Sequence, residues 1–295
     1  MQSPIIASVD SQITRDWEEL SLARLANEQA HDVKLQAIQE ALDTNDVSSL
    51  TLLARNAEGL QNVPLRAKAW AMLIGSNLST SQDQTLLQTL DFNDLEPHKD
   101  EDQVSLDIQR LFTLLTRLNS FSHEGNFSYT TILTQEEIET MRKRLFCLII
   151  KILRKYPCLN YYQGLHDVAS VVLIVCSDLN DHDEQAFALL ESLALYHLRD
   201  FMNPHMGLSI NHLKLVPLIL ENVDAAMFQL IRQTSTSYQT TYGGFYDYKF
   251  YPALLATLTM YSHDLMNFNH VMLIWDFIFS YGSISVSAYI YVSFI

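Results

Sequence analysis

An all-α fold is predicted for this 295-residue chain by three features of its sequence. Apolar residues recur at the three- and four-residue spacing of a helix face. Capping residues stand where those periodic runs begin and end. With only 8 Gly and 7 Pro, a turn-rich sheet architecture is disfavoured. Taken in order, Asp32 precedes VKLQAIQEAL as an N-cap, and Asp46 does the same for VSSLTLLARN. Gly59 follows the second run as a left-handed terminator. Pro64 opens LRAKAWAMLI as a first-turn proline and Gly75 closes it. Val104, Ile108, Leu111, Leu115 and Leu118 form one unbroken stripe, and Ile138, Met141, Leu145, Leu148, Ile149 and Ile152 form another. Polar stretches at 76–102, 120–134 and 233–247 read as loops. The sum is about a dozen helices with no internal repeat.

The chain is long enough to bury one large or two smaller cores. Its net charge of −15 disfavours a nucleic-acid groove, which needs a sustained positive field. Charge is uneven, however. Six of 19 basic residues fall between Arg142 and Lys155, whereas residues 83–102 carry seven acids against one Lys. The basic run reads first as a solvated helix face, and second as a docking strip for an acidic partner or lipid headgroups. Cys147, Cys158 and Cys176 lie in or beside apolar runs and are expected to be buried free thiols in a reducing compartment. The opening MQSPIIASVD has neither the basic start nor the apolar core of a secretory leader. Residues 277–295 carry no charge, but five serines, a glycine and patches of alternation favour a packed segment over a membrane span.

Three stretches carry candidate chemistry. On the stripe helix, with Val104 at zero, Asp107 falls at about 300° and Arg110 at about 240°. Arg110 is therefore off the core face, and Asp107, three residues earlier, is placed to hold its guanidinium. In isolation such a pair is a weak surface ion pair. Arg66 and Trp70 stand four apart in RAKAW, where methylenes pack on an indole in the plainest reading. NYYQGLHD, residues 160–167, places Gln163 and a turn glycine at the mouth of an apolar run, where the amide would serve as a cap or as a functional group.

In chain order these stretches read Arg66-x-x-x-Trp70, Val104-x-x-Asp107-x-x-Arg110 and Tyr161-x-Gln163-Gly164. The set resembles the signature of the TBC domain of Rab GTPase-activating proteins: R-x-x-x-W, I-x-x-D-x-x-R and Y-x-Q-G. Only the Ile departs, to Val104. HKDEDQVSLDIQR, YYQGLHDV, YHLRDFMNPHM and FNHVMLIWDFIF further resemble the endoplasmic-reticulum-anchored branch, which acts on the Rab of endoplasmic-reticulum-to-Golgi transport. The resemblance covers roughly residues 55–290.

The resemblance implies a TBC-type fold of two helical subdomains over residues 55–295, preceded by a helical extension over 1–54. The branch continues into further helices and a C-terminal membrane anchor. The anchor is not evident here, and ALLATLTMYSH lacks the Trp expected of an aromatic-rich helix, so the C-terminal part is expected to be incomplete. The implied partner is a GTP-bound Rab at the cytoplasmic face of endoplasmic reticulum or Golgi membranes, with no nucleic acid. No cofactor of its own is implied, because the GTP and Mg2+ are the Rab's. Arg110 would be an arginine finger and Gln163 a glutamine finger that aims the attacking water. Asp107 would position Arg110, Arg66 and Trp70 would brace the finger helix, Tyr161 would pack the Gln-bearing loop, and Gly164 would let its backbone approach closely or turn. Arg199 and Asp200 are expected to form a buried pair rather than part of the Rab-facing groove.

Two other readings fit parts of the chain. A helical domain could bind a Rab without stimulating it. Four His-Asp dipeptides (His31-Asp32, His166-Asp167, His182-Asp183 and His263-Asp264) also raise a metal-dependent phosphohydrolase of the HD kind. Three of the four sit at expected helix starts, where Asp is a cap.

Overall fold

The computed structural model describes residues 29–56, 58–76, 94–121, 134–177, 182–234, 250–265 and 267–295; for 112–121, 182, 234 and 251 it describes the backbone alone. Every regular element among the described residues is helical, as the periodicity predicts. The chain forms α1 (29–43), α2 (Val47–Arg55), α3 (Val63–Leu73), α4 (Glu101–Phe121), α5 (Gln135–Lys155), α6 (Leu165–Cys176) and α7 (His182–Ser192). A π-helical turn, Leu193–His197, ends α7. Then come α8 (Gly207–Leu213), α9 (Leu215–Val223), α10 (Ala225–Thr234), α11 (Tyr251–Leu258), α12 (Phe268–Tyr281) and α13 (Val286–Phe294).

The caps act largely as expected. The Asp46 carboxylate accepts from the Ser49 amide at 3.0 Å, and Pro64 sits in the first turn of α3. Gly59 and Gly75 both have positive φ beyond their helices. Asp32 is the exception, because α1 already runs through residues 29–31 and leaves it within the helix. At Thr134 and Glu137 a reciprocal capping box starts α5. The predicted loops lie mostly outside the described residues, although α4 begins at Glu101, inside the first of them.

Both stripes face the core where side chains are described. Val104 and Ile108 are buried, and so are Ile138, Leu145, Leu148, Ile149 and Ile152; Leu115 and Leu118 lie outside the described side chains. Helix α6 is apolar nearly all round because α3, α4, α5 and α7 enclose it. The second half of the chain closes on the first through α12, which packs on α2 and α3. Trp70, Trp275 and Phe279 meet there with ring centroids 5.2 to 5.6 Å apart. Arg55 ties the same seam, donating to the Ser280 carbonyl at 2.7 Å and lying over the Tyr281 ring.

One expectation is corrected. Cys147 and Cys158 are exposed and only Cys176 is buried: Cys147 lies on the outer face of α5, and Cys158 lies in the turn after it. The basic run is a helix face whose charges are largely met within the chain. Arg142 pairs with Glu139, Arg144 with Asp183, Arg154 with Glu101 and Lys155 with Glu191. Residues 277–295 break at Gly282 (φ 64°) between α12 and α13. No described helix is long and apolar enough to cross a membrane.

Candidate functional site

Helix α4 presents Arg110 to solvent, with 68% of its side chain exposed, while Asp107 beneath it keeps 1%. The burial of Asp107 exceeds what its place at the stripe's edge suggests. Three donors offset its desolvation. Arg110 Nη1 donates to Oδ1 at 3.1 Å, Gln103 Nε2 to Oδ1 at 3.0 Å, and the Tyr161 hydroxyl to Oδ2 at 3.2 Å. The guanidinium is thus held through one terminal nitrogen by one carboxylate oxygen, and the side chain is otherwise largely exposed.

Tyr161 lies along α4. Its amide donates to Asp100 Oδ2 at 2.9 Å at the start of the helix, and its hydroxyl reaches Asp107. Those two carboxylates are about 10 Å apart along the helix axis. One residue thereby fastens the 160–164 segment to α4 at two points. Burial, with Asp107 second, raises the Tyr161 hydroxyl far above its ordinary value, so it stays protonated and donates. Asn160 adds a hydrogen bond from Lys99 and bonds to the Met202 carbonyl, with its amide N–H at 2.8 Å and its side chain at 3.2 Å. Tyr162 faces the other way. Its hydroxyl donates to the Leu258 carbonyl at 2.8 Å, and its ring meets Phe201.

Gln163 stands between these anchors and is exposed. Its amide has no hydrogen bond among the described residues, and α6 has no side-chain cap. The structural reading of Gln163 as a helix cap is therefore not met. Gly164, the N-cap of α6, has φ 121°, a region that L side chains rarely adopt. A Cβ there would stand 2.7 Å from Leu258 Cδ1 and 2.9 Å from Thr259 Cγ2. Close approach and the turn into the helix both require glycine at this position.

Arg66 and Trp70 sit elsewhere, around Asp276 of α12, which is fully buried. Trp70 Nε1 donates to Oδ1 at 2.7 Å, Arg66 Nε to both oxygens at 3.0 and 3.2 Å, and the Leu60 amide to Oδ2 at 2.8 Å. Their hydrogen bonds run to α12 rather than to the helix carrying Arg110, so what they hold together is the seam between α3 and α12. A Cβ on Gly59 would fall 2.2 Å from Asp276 Oδ2, which explains the glycine beyond its role as a terminator. Arg199 is exposed, and Asp200 bonds instead to His212 Nε2 at 3.0 Å, so the expected buried pair does not form.

Sequence reasoning passed over Asp276, Asp100 and Tyr162, and weighed His166 only as half of a His-Asp pair. The first had a signal, an acid set within the apolar run VMLIWDFIF. Asp100 was hidden in an acidic run. Two of the His-Asp pairs meet, because His263 Nδ1 lies 3.3 Å from Asp167 Oδ2. Among the described residues, no group of three or more His, Cys, Asp or Glu side chains is arranged to hold a metal ion.

Comparison with known proteins agrees with the motif pattern. The family model described as the Rab-GTPase-TBC domain matches residues 64–295. GTPase-activating protein GYP8 of Saccharomyces cerevisiae is 29% identical over 72% of this chain and 41% of its own length. TBC1 domain family member 20 of Homo sapiens is 27% identical over 83% of this chain and 52% of its own. GTPase-activating protein gyp10 of Schizosaccharomyces pombe is 26% identical over 84% and 57%. The chain spans about half the length of the curated relatives it matches.

Proposed function

The chain belongs to the Rab-GTPase-TBC domain family, and from that premise we propose that it stimulates GTP hydrolysis by a Rab-family GTPase. The observation that carries the reading is one buried carboxylate shared between two segments. Asp107 holds exposed Arg110, and it also holds Tyr161, two residues before exposed Gln163. An exposed cation and an uncommitted carboxamide are thereby presented beside one polar cluster. In phosphoryl transfer, an inserted arginine neutralises charge on the transferring group and is worth about 10³ to 10⁵ in rate. That corresponds to roughly 4 to 7 kcal/mol of barrier. Gln163 would accept a hydrogen bond from the attacking water and donate toward the phosphate, as a neutral amide can and a carboxylate cannot. GTP and Mg2+ would arrive with the Rab. Two of the relatives are GTPase-activating proteins by name. Action at endoplasmic reticulum or Golgi membranes, by a domain of residues 55–295 with 1–54 as a helical extension, belongs to the same proposal.

Single-turnover hydrolysis across a panel of GTP-loaded Rab proteins tests it. Stimulation of at least one Rab is expected, with loss in Arg110→Ala. Stable complexes with unchanged hydrolysis throughout the panel would replace this reading with a binding scaffold.

A further inference from the structure

Tyr161 has one hydroxyl proton and two polar neighbours, the Asp107 Oδ2 at 3.2 Å and His166 Nδ1 at 2.8 Å. If that proton went to His166, the buried Asp107 carboxylate would face an oxygen lone pair, an unfavourable contact away from water. If His166 Nδ1 carries the proton instead, all three groups are satisfied in one direction. The imidazole N–H donates to the Tyr161 oxygen, and the Tyr161 O–H donates to Asp107. The structure holds the ring for this task. His166 is buried in the first turn of α6, directly after Gly164 and Leu165. Its other nitrogen lies 3.7 Å from Asp167 Oδ1, beyond hydrogen-bond distance. Burial lowers its basicity, which favours the neutral ring.

We propose that His166 is a positioning residue for the stimulated reaction: its Nδ1–H fixes the direction of the Tyr161 hydroxyl and thereby holds the Asp107 carboxylate that aims Arg110. The proposal rests on the reading of Arg110 as a finger. It predicts that the geometry at Nδ1, and not aromaticity or bulk, is what the reaction senses. A misplacement of about 1 Å costs on the order of 10² in rate.

The test uses the full chain and the GTP-loaded Rab that it stimulates most, with kcat and KM measured separately and melting followed by circular dichroism. His166→Leu removes the donor and is expected to lower kcat about tenfold or more, with KM nearly unchanged. His166→Asn returns an N–H at the δ position and is expected to restore kcat to within about threefold of the parent. His166→Gln places its amide one carbon further out and is expected to resemble His166→Leu. In a Tyr161→Phe background, which has no hydroxyl to direct, His166→Leu should cost nothing further. Parent-like kcat in a folded His166→Leu overturns the proposal, and so do equal rates in His166→Asn and His166→Gln. The Asn and Gln pair decides the matter if the leucine variant does not fold. Arg110→Ala, assayed alongside, separates the two levels. Retained stimulation there fails the finger reading, whereas its loss together with an indifferent His166 fails only this inference.

Discussion

The contrast between Arg110 and Asp107, 68% and 1% exposed on one helix, sets what single substitutions should do. Arg110 contributes little to packing, so Arg110→Ala should keep its helicity and melting temperature while losing about 10³-fold or more of the stimulated rate. Circular dichroism beside single-turnover hydrolysis checks both halves of that statement. Gln163→Ala should behave in the same way, because no internal hydrogen bond is lost with the amide. Gly164→Ala should do the opposite and damage the fold itself. At φ 121°, with Leu258 and Thr259 in the way, about 1–3 kcal/mol of strain is expected, read as a lower melting temperature together with weaker stimulation. At this scale the sequence was informative about direction and less so about depth. A helical wheel placed Arg110 outside the core correctly. It could not foresee how deeply Asp107 is buried, because one of the groups that meets it, Tyr161, stands 54 residues away.

Among elements, α4 and α5 are joined by a bidentate pair, with Arg154 Nε and Nη2 at 2.7 and 2.9 Å from the two Glu101 oxygens. The Arg154 hydrogen bond holds the Glu101 carboxyl below its ordinary value of 4.5. The unfolded chain therefore takes up this proton at a higher pH than the folded one. The pair's contribution to stability is in place above about pH 4.5 and is lost as the pH falls through the lowered folded value. Urea midpoints measured down that range should fall, and in Arg154→Gln the part of the fall due to this pair should be absent. Element existence was legible wherever a stripe was long, as in α4 and α5. Element starts were less so. Asp32 looked like a cap because it precedes an apolar run, but nothing in residues 29–31 stops the helix from continuing upstream of it. The outward Cys147 follows from the same limit, since an apolar neighbourhood in sequence does not say which way a side chain points around a helix.

For the whole molecule, the largest dependence is on Asp276, which gathers Arg66, Trp70 and the Leu60 amide from the opposite end of the chain. Asp276→Ala would leave a buried guanidinium without its counter-charge and should cost about 3–5 kcal/mol, measured by chemical denaturation. The Arg66 and Trp70 motif was visible in the sequence, but its purpose was not, because the partner lies 210 residues downstream of Arg66. That distance also sets a timetable. At about 5–20 residues per second of synthesis, Arg66 leaves the ribosome roughly 10 to 40 s before the acid that neutralises it. Throughout that interval the guanidinium has every reason to stay hydrated, which holds α3 out of its final seat. The seat of α3 is therefore expected to close only once α12 has emerged.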